Sequence, residues 1–151
     1  MMMTSRRHAI GALLLLGGIR VQAADINVHV YKTPTCGCCG KWVEHMRANG
    51  FKVEVTEVQD TAEIRRKYGV PEELRSCHTA VVDGYALEGH VPAADVKKLL
   101  QSRPKAKGIA VPGMPMGSPG MEVEGGKRQA FQVMLFNANG ALGQFSKYNA
   151  K

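Results

Sequence analysis

Apolar and polar residues alternate over several short segments, and each of these segments predicts a strand. The first is 26–31, where three apolar side chains are separated by Asn27 and His29. Further strands are predicted at the positions 51–58, 79–82, 85–91, 129–136 and 141–148. The turn residues Asp83-Gly84 join 79–82 to 85–91, so these two strands are expected to form a hairpin.

Apolar residues at helical spacing predict helices between these strands. A helix over 40–48 places Trp42, Val43 and Met46 on one stripe, and Asn49-Gly50 ends it. Further helices are predicted at 61–68 and 92–100, with one additional turn at 71–74.

The order of these elements indicates the fold class. A strand, a helix and a second strand predict a parallel pair with a right-handed crossover, and the later hairpins add antiparallel strands. Cysteines that follow the first strand of such a mixed sheet are typical of a thioredoxin-like arrangement. We therefore expect an α/β fold, a thioredoxin-like mixed sheet with flanking helices, followed by a Met/Gly/Pro-rich loop and a C-terminal β-hairpin.

The segment 108–121 interrupts the regular patterns. Its three prolines and four glycines are incompatible with a regular element, so none is expected there. A loop of this length in a small domain is usually functional or disordered. The segment also contains methionines, which argue against a purely solvated linker.

The first 23 residues have the pattern of an export signal. Two arginines precede the apolar run 9–19, and a small-residue cleavage site ends at Ala23. The arginine pair fits a twin-arginine signal and an ordinary secretory signal equally well. A retained anchor is disfavoured because the apolar run is short for a membrane span. We predict a signal peptide over 1–23, a single domain over 24–151, a periplasmic location and no membrane association after cleavage.

Length and charge narrow the function classes. A chain of 151 residues favours one domain, and 44% hydrophobic residues can supply its core. Cleavage of the signal would remove Arg6, Arg7 and Arg20 and would lower the formal charge of +7 by three. The remaining chain has no dense basic run and no basic stripe interleaved with aromatic residues, so nucleic-acid binding is not expected.

The cysteines are the strongest chemical signal. Cys36, Cys38 and Cys39 lie within four positions, and the fourth cysteine, Cys77, directly precedes His78. Thiols at the start of a helix lie near its positive dipole end, which lowers their pKa and favours the thiolate. Two structural disulfides are an alternative in an exported protein, but adjacent cysteines rarely bridge each other without strain.

One functional interpretation is thiol–disulfide exchange. Cys36 and Cys39 form a C-x-x-C pair, in which Cys36 would attack and Cys39 would resolve the mixed disulfide. Two features count against this as the main function. Cys38 offers a competing thiolate, and Cys77-His78 stands where a thioredoxin-type redox fold has a proline before the next strand.

The other interpretation is a soft-metal site. Zinc and iron–sulfur sites use other cysteine spacings, whereas Cu(I) accepts thiolates and thioethers at low coordination number. Bridging thiolates favour a small multinuclear Cu(I) cluster. Met114 and Met116 add thioethers, although methionines that fill a core cleft are an equal alternative. His78 is a candidate ligand and could equally be an ordinary loop histidine.

Three segments together resemble a known family. The stretches 31–39, 77–79 and 111–122 are similar to the CopG-like copper-resistance proteins, the domain-of-unknown-function 411 family. The resemblance covers essentially the whole chain after the signal. It implies a periplasmic thioredoxin-like protein that binds a multinuclear copper cluster through its cysteines, with a proposed role in interconverting Cu(I) and Cu(II). Carried onto this sequence, the copper thiolates are Cys36, Cys38, Cys39 and Cys77.

We therefore expect a copper-binding protein that serves copper tolerance, and silver tolerance by the same soft-metal chemistry. Copper ions are the expected cofactor and cargo, and a periplasmic copper chaperone or efflux component is the expected partner. Whether the protein turns over as an enzyme stays open, with thiol–disulfide exchange at Cys36 and Cys39 as the alternative.

Overall fold

The computed structural model describes residues 26–151, so the signal peptide predicted over 1–23 lies outside the described residues. In chain order the elements are β1 (Asn27–Lys32), α1 (Gly37–Ala48), β2 (Lys52–Glu57), α2 (Ala62–Tyr68), a 3-10 turn (Glu72–Leu74), β3 (Thr79–Val82), β4 (Tyr85–Glu88), α3 (Ala93–Ser102), β5 (Gly108–Ala110), β6 (Phe131–Asn137) and β7 (Gly140–Tyr148). No helix within 26–151 is long and apolar enough to span a bilayer.

All seven strands form one mixed sheet in the order β2-β1-β3-β4-β5-β6-β7. β1 pairs in parallel with β2 and antiparallel with β3, and β4 pairs in parallel with β5. β3 and β4, like β6 and β7, are antiparallel neighbours. This topology places β1, which leads into the first three cysteines, directly beside β3, which follows the fourth cysteine.

Two hydrophobic cores fill the opposite faces of the sheet, because successive strand side chains point to alternate faces. The larger core lies under α1 and α3 and includes the fully buried Trp42 and Leu99. The smaller core joins the chain after α2, through Val70 and Leu74, to Phe136 on β6. The helices α1 and α3 therefore cover one face, and the α2 region covers the other.

The mixed α/β sheet predicted from the sequence is confirmed, including the parallel pair of β1 and β2 and the hairpin of β3 and β4. The hairpin turn is tight because Asp83 and Gly84 both adopt positive φ, at 46° and 83°. The fourth strand ends at Glu88, earlier than the predicted 85–91, since Gly89 has φ of 73°, which is not a strand conformation.

The expectation that 108–121 contains no regular element is wrong. Residues 108–110 form β5, which is fully buried between β4 and β6. Gly108 is required there, because a Cβ at this position would lie 1.9 Å from the carbonyl oxygen of Ala86. So short a strand carries no periodicity of its own, and its two neighbours specify it.

His45 joins α1 to α3. Its side chain is half-buried, and its Nε2 accepts a hydrogen bond from the backbone N–H of Ala93 at 3.1 Å. This bond ties the last turn of α1 to the first turn of α3. Burial lowers the pKa of His45, and the nearby Glu122 carboxylate opposes that shift.

Candidate metal centre

Three cysteines are placed by the first turn of α1. Cys36 is the N-cap residue, and its backbone N–H donates to the carbonyl of Thr33 at 3.2 Å. The helix begins at Gly37 rather than at the predicted Gly40, so Cys38 and Cys39 lie within the first turn. Cys39 is fully buried on the apolar stripe of the helix, whereas the side chain of Cys38 is half-buried.

The fourth cysteine reaches this helix from a turn before β3. Cys77 lies in residues 76–79, which we call the Cys77 turn. Two atoms of Cys77 approach the helix. Its carbonyl oxygen lies 3.7 Å from Cys39 Sγ, and its Sγ lies 4.0 Å from Cys38 Sγ. Because β1 and β3 are neighbours, the two cysteine segments meet although 39 positions separate Cys38 from Cys77.

All four sulfur atoms lie within 4.8 Å of one another. Cys36 and Cys39 form a disulfide, and Cys38 and Cys77 are free thiols. Cys38 Sγ is also 3.7 Å from Cys36 Sγ, so the free thiol of Cys38 lies between the disulfide and Cys77. The structure brings together the four cysteines that the sequence identified as metal-ligand candidates.

Burial controls the protonation of Cys77. It raises the pKa of this thiol to about 12, and the neighbouring Cys38 adds to the increase, while a hydrogen bond from Ser76 opposes it. Cys77 is therefore a neutral thiol at pH 7 in the metal-free protein. The low pKa expected for thiols at the start of a helix does not apply to Cys77, because Cys77 does not belong to a helix.

His78 belongs to the site. The residue is fully buried, and its Nδ1 lies 3.4 Å from Cys77 Sγ. Its ring packs against the indole of Trp42, with 4.5 Å between ring centroids. Burial lowers the pKa of His78 to about 3, and the neighbouring His90 contributes to that shift. Histidine binds metals as a neutral imidazole, and the low pKa keeps His78 in this form beside the Cys77 thiol.

The structure adds His90, which the sequence analysis missed. His90 is fully buried, and its Nε2 lies 3.0 Å from Cys77 Sγ. Its Nδ1 lies 2.7 Å from the carbonyl oxygen of Pro119. A carbonyl can only accept, so Nδ1 carries the proton and Nε2 directs its lone pair at the sulfur. Burial lowers the pKa of His90, which favours the neutral form of the ring.

A signal for His90 was present in the hairpin. The two-residue turn at Asp83-Gly84 fixes the register in which Thr79 pairs with Glu88. Continuing that register by two positions sets His90 opposite Cys77. The register of a tight hairpin therefore predicts which residue faces a ligand that precedes its first strand.

The methionine-rich segment covers one side of the site. We call residues 111–121 the covering loop. Gly120 has φ of 87°, and a Cβ there would lie 2.9 Å from both the Cys38 carbonyl oxygen and the Trp42 backbone nitrogen. Glycine at this position therefore lets the covering loop lie directly on the first turn of α1.

Met114 and Met116 do not fill the core. Their side chains are 52% and 42% exposed on the outside of the covering loop. An open cleft of about 310 Å³ lies between this loop and α1, and Cys38 and Met121 contribute to its lining. The free thiol of Cys38 can thus be reached from solvent through a cleft that also carries a thioether.

Comparisons with known proteins matched one family and two solved structures. The family described as "Protein of unknown function, DUF411" matches residues 74–121, a segment that includes Cys77, His78, His90 and the covering loop. Two solved structures, "Copper resistance protein copG" in Form 1 and Form 2, are each 44% identical in sequence, with TM-scores of 0.76. Each match covers 82% of this chain and 98% of the other. The comparison with curated proteins found no match.

Proposed function

The chain belongs to the family of the copper resistance protein copG, and on this premise we propose that it holds Cu(I) as a multinuclear thiolate cluster through Cys36, Cys38, Cys39 and Cys77. The convergence of the four sulfur atoms within 4.8 Å of one another supports this proposal most directly. Cu(I) is soft and prefers thiolates at low coordination number. Adjacent cysteines on one helical turn suit bridging sulfurs better than a single tetrahedral ion.

The two buried imidazoles complete the proposed ligand set. His78 and His90 both face Cys77, and both are neutral, so each can donate a lone pair to a copper ion that Cys77 binds. The Nδ1–H of His90 donates a hydrogen bond to the Pro119 carbonyl, and this bond fixes the orientation of the ring. Histidines that bind metals in other proteins are oriented in the same way, by a hydrogen bond from the nitrogen that does not bind the metal. In a copper cluster held here, both histidines would be terminal ligands and the cysteines would bridge.

Met114 and Met116 are proposed as thioether ligands on the solvent side. Their exposure of 52% and 42% means that they would contact copper as it enters or leaves, rather than at the buried centre. Thioethers are soft ligands that Cu(I) accepts and zinc rarely uses.

The disulfide connects copper loading to redox chemistry. Four thiolates become available only when the bond between Cys36 and Cys39 is reduced, which requires two electrons. In the opposite direction, the two thiolates would each give one electron to a Cu(II) ion, so that two Cu(II) ions become two Cu(I) ions as the disulfide re-forms. We include this interconversion of Cu(I) and Cu(II) in the proposal.

Membership of this family also supports a proposal for the cellular role. We propose that the protein acts in the periplasm in copper tolerance, and in silver tolerance through the same soft-metal site. A copper chaperone or an efflux component is the proposed partner that delivers or removes the metal. The relatives whose structures match carry the name copper resistance protein, which supports this role.

A Cu(I) titration tests the proposed function. The purified protein is reduced, kept anaerobic and titrated against a Cu(I) chelator, and elemental analysis gives the copper content per chain. We expect more than one tightly bound copper per chain, with copper–sulfur and copper–copper distances in X-ray absorption spectra. Weak binding, together with disulfide reductase activity that Cys36→Ser abolishes, would contradict the cluster.

A second candidate function rests on the observed disulfide. Cys36 is half-buried at the start of α1, and Cys39 is buried behind it, which is the arrangement of an attacking and a resolving thiol. Thiol–disulfide exchange would then require only these two residues. The proximity of Cys38 Sγ to Cys36 Sγ, at 3.7 Å, favours the copper site, since a third thiol would compete for the same disulfide.

Copper affinity is expected to rise with pH. Because the pKa of Cys77 is raised to about 12, this thiol is protonated across pH 6–8 and must release its proton when copper binds. Each such proton makes the apparent affinity increase about tenfold per pH unit. Chelator competition at pH 6, 7 and 8 measures the slope, and Cys77→Ser should lower it by one proton. An affinity that does not change with pH would contradict this assignment.

A further inference from the structure

A buried carboxylate supports the Cys77 turn from beneath. Glu88, the last residue of β4, is fully buried, and both of its oxygen atoms accept hydrogen bonds. Oε1 accepts from the backbone N–H of Ser76 at 2.7 Å, and Oε2 accepts from the hydroxyl of Thr79 at 2.6 Å. Burying a carboxylate costs free energy unless its oxygens accept hydrogen bonds, and these two hydrogen bonds offset that cost for Glu88.

The two hydrogen bonds bracket the metal-ligand candidates. Ser76 directly precedes Cys77, and Thr79 directly follows His78, so one side chain fixes the turn at both ends. A third contact strengthens the same junction, because the backbone N–H of Gly89 donates to the carbonyl of His78 at 2.9 Å.

The chain approaches so closely here that position 89 requires glycine. A Cβ on Gly89 would lie 2.5 Å from Ser76 Oγ and 2.6 Å from the carbonyl oxygen of Val111, and its φ is 73°. The end of β4 is therefore packed directly against the Cys77 turn.

Other roles for Glu88 are not supported by its contacts. Among the described ion pairs none includes Glu88. The charge of Arg65 acts on Glu88, but this guanidinium donates to the hydroxyl of Thr61 at 2.6 Å instead. Neither carboxylate oxygen is bonded to a cysteine or histidine of the site.

We propose that Glu88 is a positioning residue of the metal centre, which holds the Cys77 thiol and the His78 ring where they meet the thiols of α1. The inference rests on the proposed copper function and extends it to a residue that does not touch the metal. Outer hydrogen-bond partners of metal ligands typically change metal affinity by about 10- to 100-fold. Loss of the carboxylate is expected to lower Cu(I) affinity within that range.

Asp95 offers a matched control for the effect on stability. It is also a buried carboxylate with both oxygens bonded, to the hydroxyls of Ser146 and Tyr148, and these bonds attach β7 to α3. Neither of these hydrogen bonds involves a cysteine or histidine of the site. Asp95→Ala therefore removes a comparable buried carboxylate from the same protein without disturbing the Cys77 turn.

The experiment compares Glu88→Ala, Glu88→Gln and Asp95→Ala with the wild-type protein, all reduced and titrated with Cu(I). Affinity comes from chelator competition, the sulfur-to-copper absorption bands report the ligand geometry, and chemical unfolding of the metal-free proteins reports stability. We expect Glu88→Ala to bind Cu(I) about 10- to 100-fold more weakly with altered bands. We expect Glu88→Gln to fall between it and wild type, because Gln keeps the acceptor for the Ser76 N–H.

Asp95→Ala should lose stability and keep both the wild-type affinity and the wild-type bands. Equal losses of affinity in Glu88→Ala and Asp95→Ala would show a general effect of stability and would overturn the inference. Should Glu88→Ala fail to fold, Glu88→Gln carries the comparison, and wild-type affinity and bands in that variant would overturn it. If the wild-type protein itself binds no copper, the proposed function fails; if it binds copper and Glu88 variants bind equally, only this inference fails.

Discussion

Cys77→Ser is expected to lose the multinuclear copper centre and to keep its fold. Cys77 Sγ is the atom that joins the two halves of the site, since it lies 4.0 Å from Cys38 Sγ and 3.0 Å from His90 Nε2. A serine hydroxyl is a hard ligand that Cu(I) does not favour. Copper per chain should fall to half or less, and the remaining affinity should fall by more than about 100-fold, beyond the range of outer-ligand substitutions.

Cys36→Ser is the informative partner for this variant. If the protein is a simple thiol–disulfide oxidoreductase, Cys36→Ser abolishes exchange and Cys77→Ser has little effect. If it is a copper protein, both variants lose copper. Anaerobic Cu(I) titration and a disulfide reduction assay on the same preparations distinguish these outcomes, and full copper loading in Cys77→Ser would contradict the proposed ligand set.

Trp42→Ala is expected to cause the largest loss of stability. Trp42 is fully buried in the larger core, and its indole N–H donates to the carbonyl of Val91 at 2.8 Å. Removing a buried aromatic side chain of this size costs about 3–5 kcal/mol. Urea unfolding of the metal-free, reduced protein measures the loss.

Two further substitutions serve as comparisons for the loss of stability in Trp42→Ala. Trp42→Phe keeps an aromatic ring and removes the hydrogen bond, so its loss should be clearly smaller than that of Trp42→Ala. Val55→Ala, at an edge-strand residue that is 38% exposed, should change stability by less than about 0.5 kcal/mol. A Trp42→Ala effect as small as that of Val55→Ala would show that the indole contributes little to the core.

Trp42 also connects the core to the metal centre. Its ring packs on His78, so a shift of the indole changes the support of an imidazole that faces Cys77. We therefore expect Trp42→Phe to disturb copper binding less than Trp42→Ala does.

Local periodicity was sufficient for most of the fold. The apolar stripe of α1, which contains Trp42 and Met46, and the alternating strands are patterns that follow directly from side-chain geometry. The helix α1 begins at Gly37, three residues before the predicted start at Gly40, because glycine is a poor helix former and Gly37 therefore gives no local helix signal. In the structure the tertiary contacts of Cys39 and the covering loop stabilise this first turn.

The site was predictable where its residues are adjacent in the sequence. Cys36, Cys38 and Cys39 stand together, and His78 was found because it follows Cys77. His90 has no such neighbour, and only the hairpin register brings it to the sulfur. The local sequence around Glu88 is that of an ordinary strand. Nothing in it indicates that both carboxylate oxygens accept hydrogen bonds from the Cys77 turn.

The separation of the ligands along the chain makes copper a folding ligand. An unfolded chain offers copper only the local group of three cysteines, because Cys77 and His90 come close to that group only in the native sheet. Metal that binds the native state more tightly than the unfolded chain shifts the folding equilibrium, by about 4 kcal/mol when the two affinities differ 1,000-fold and copper saturates both states. Resistance to proteolysis, and with it the lifetime of the protein, should therefore increase with the supply of the metal that it holds.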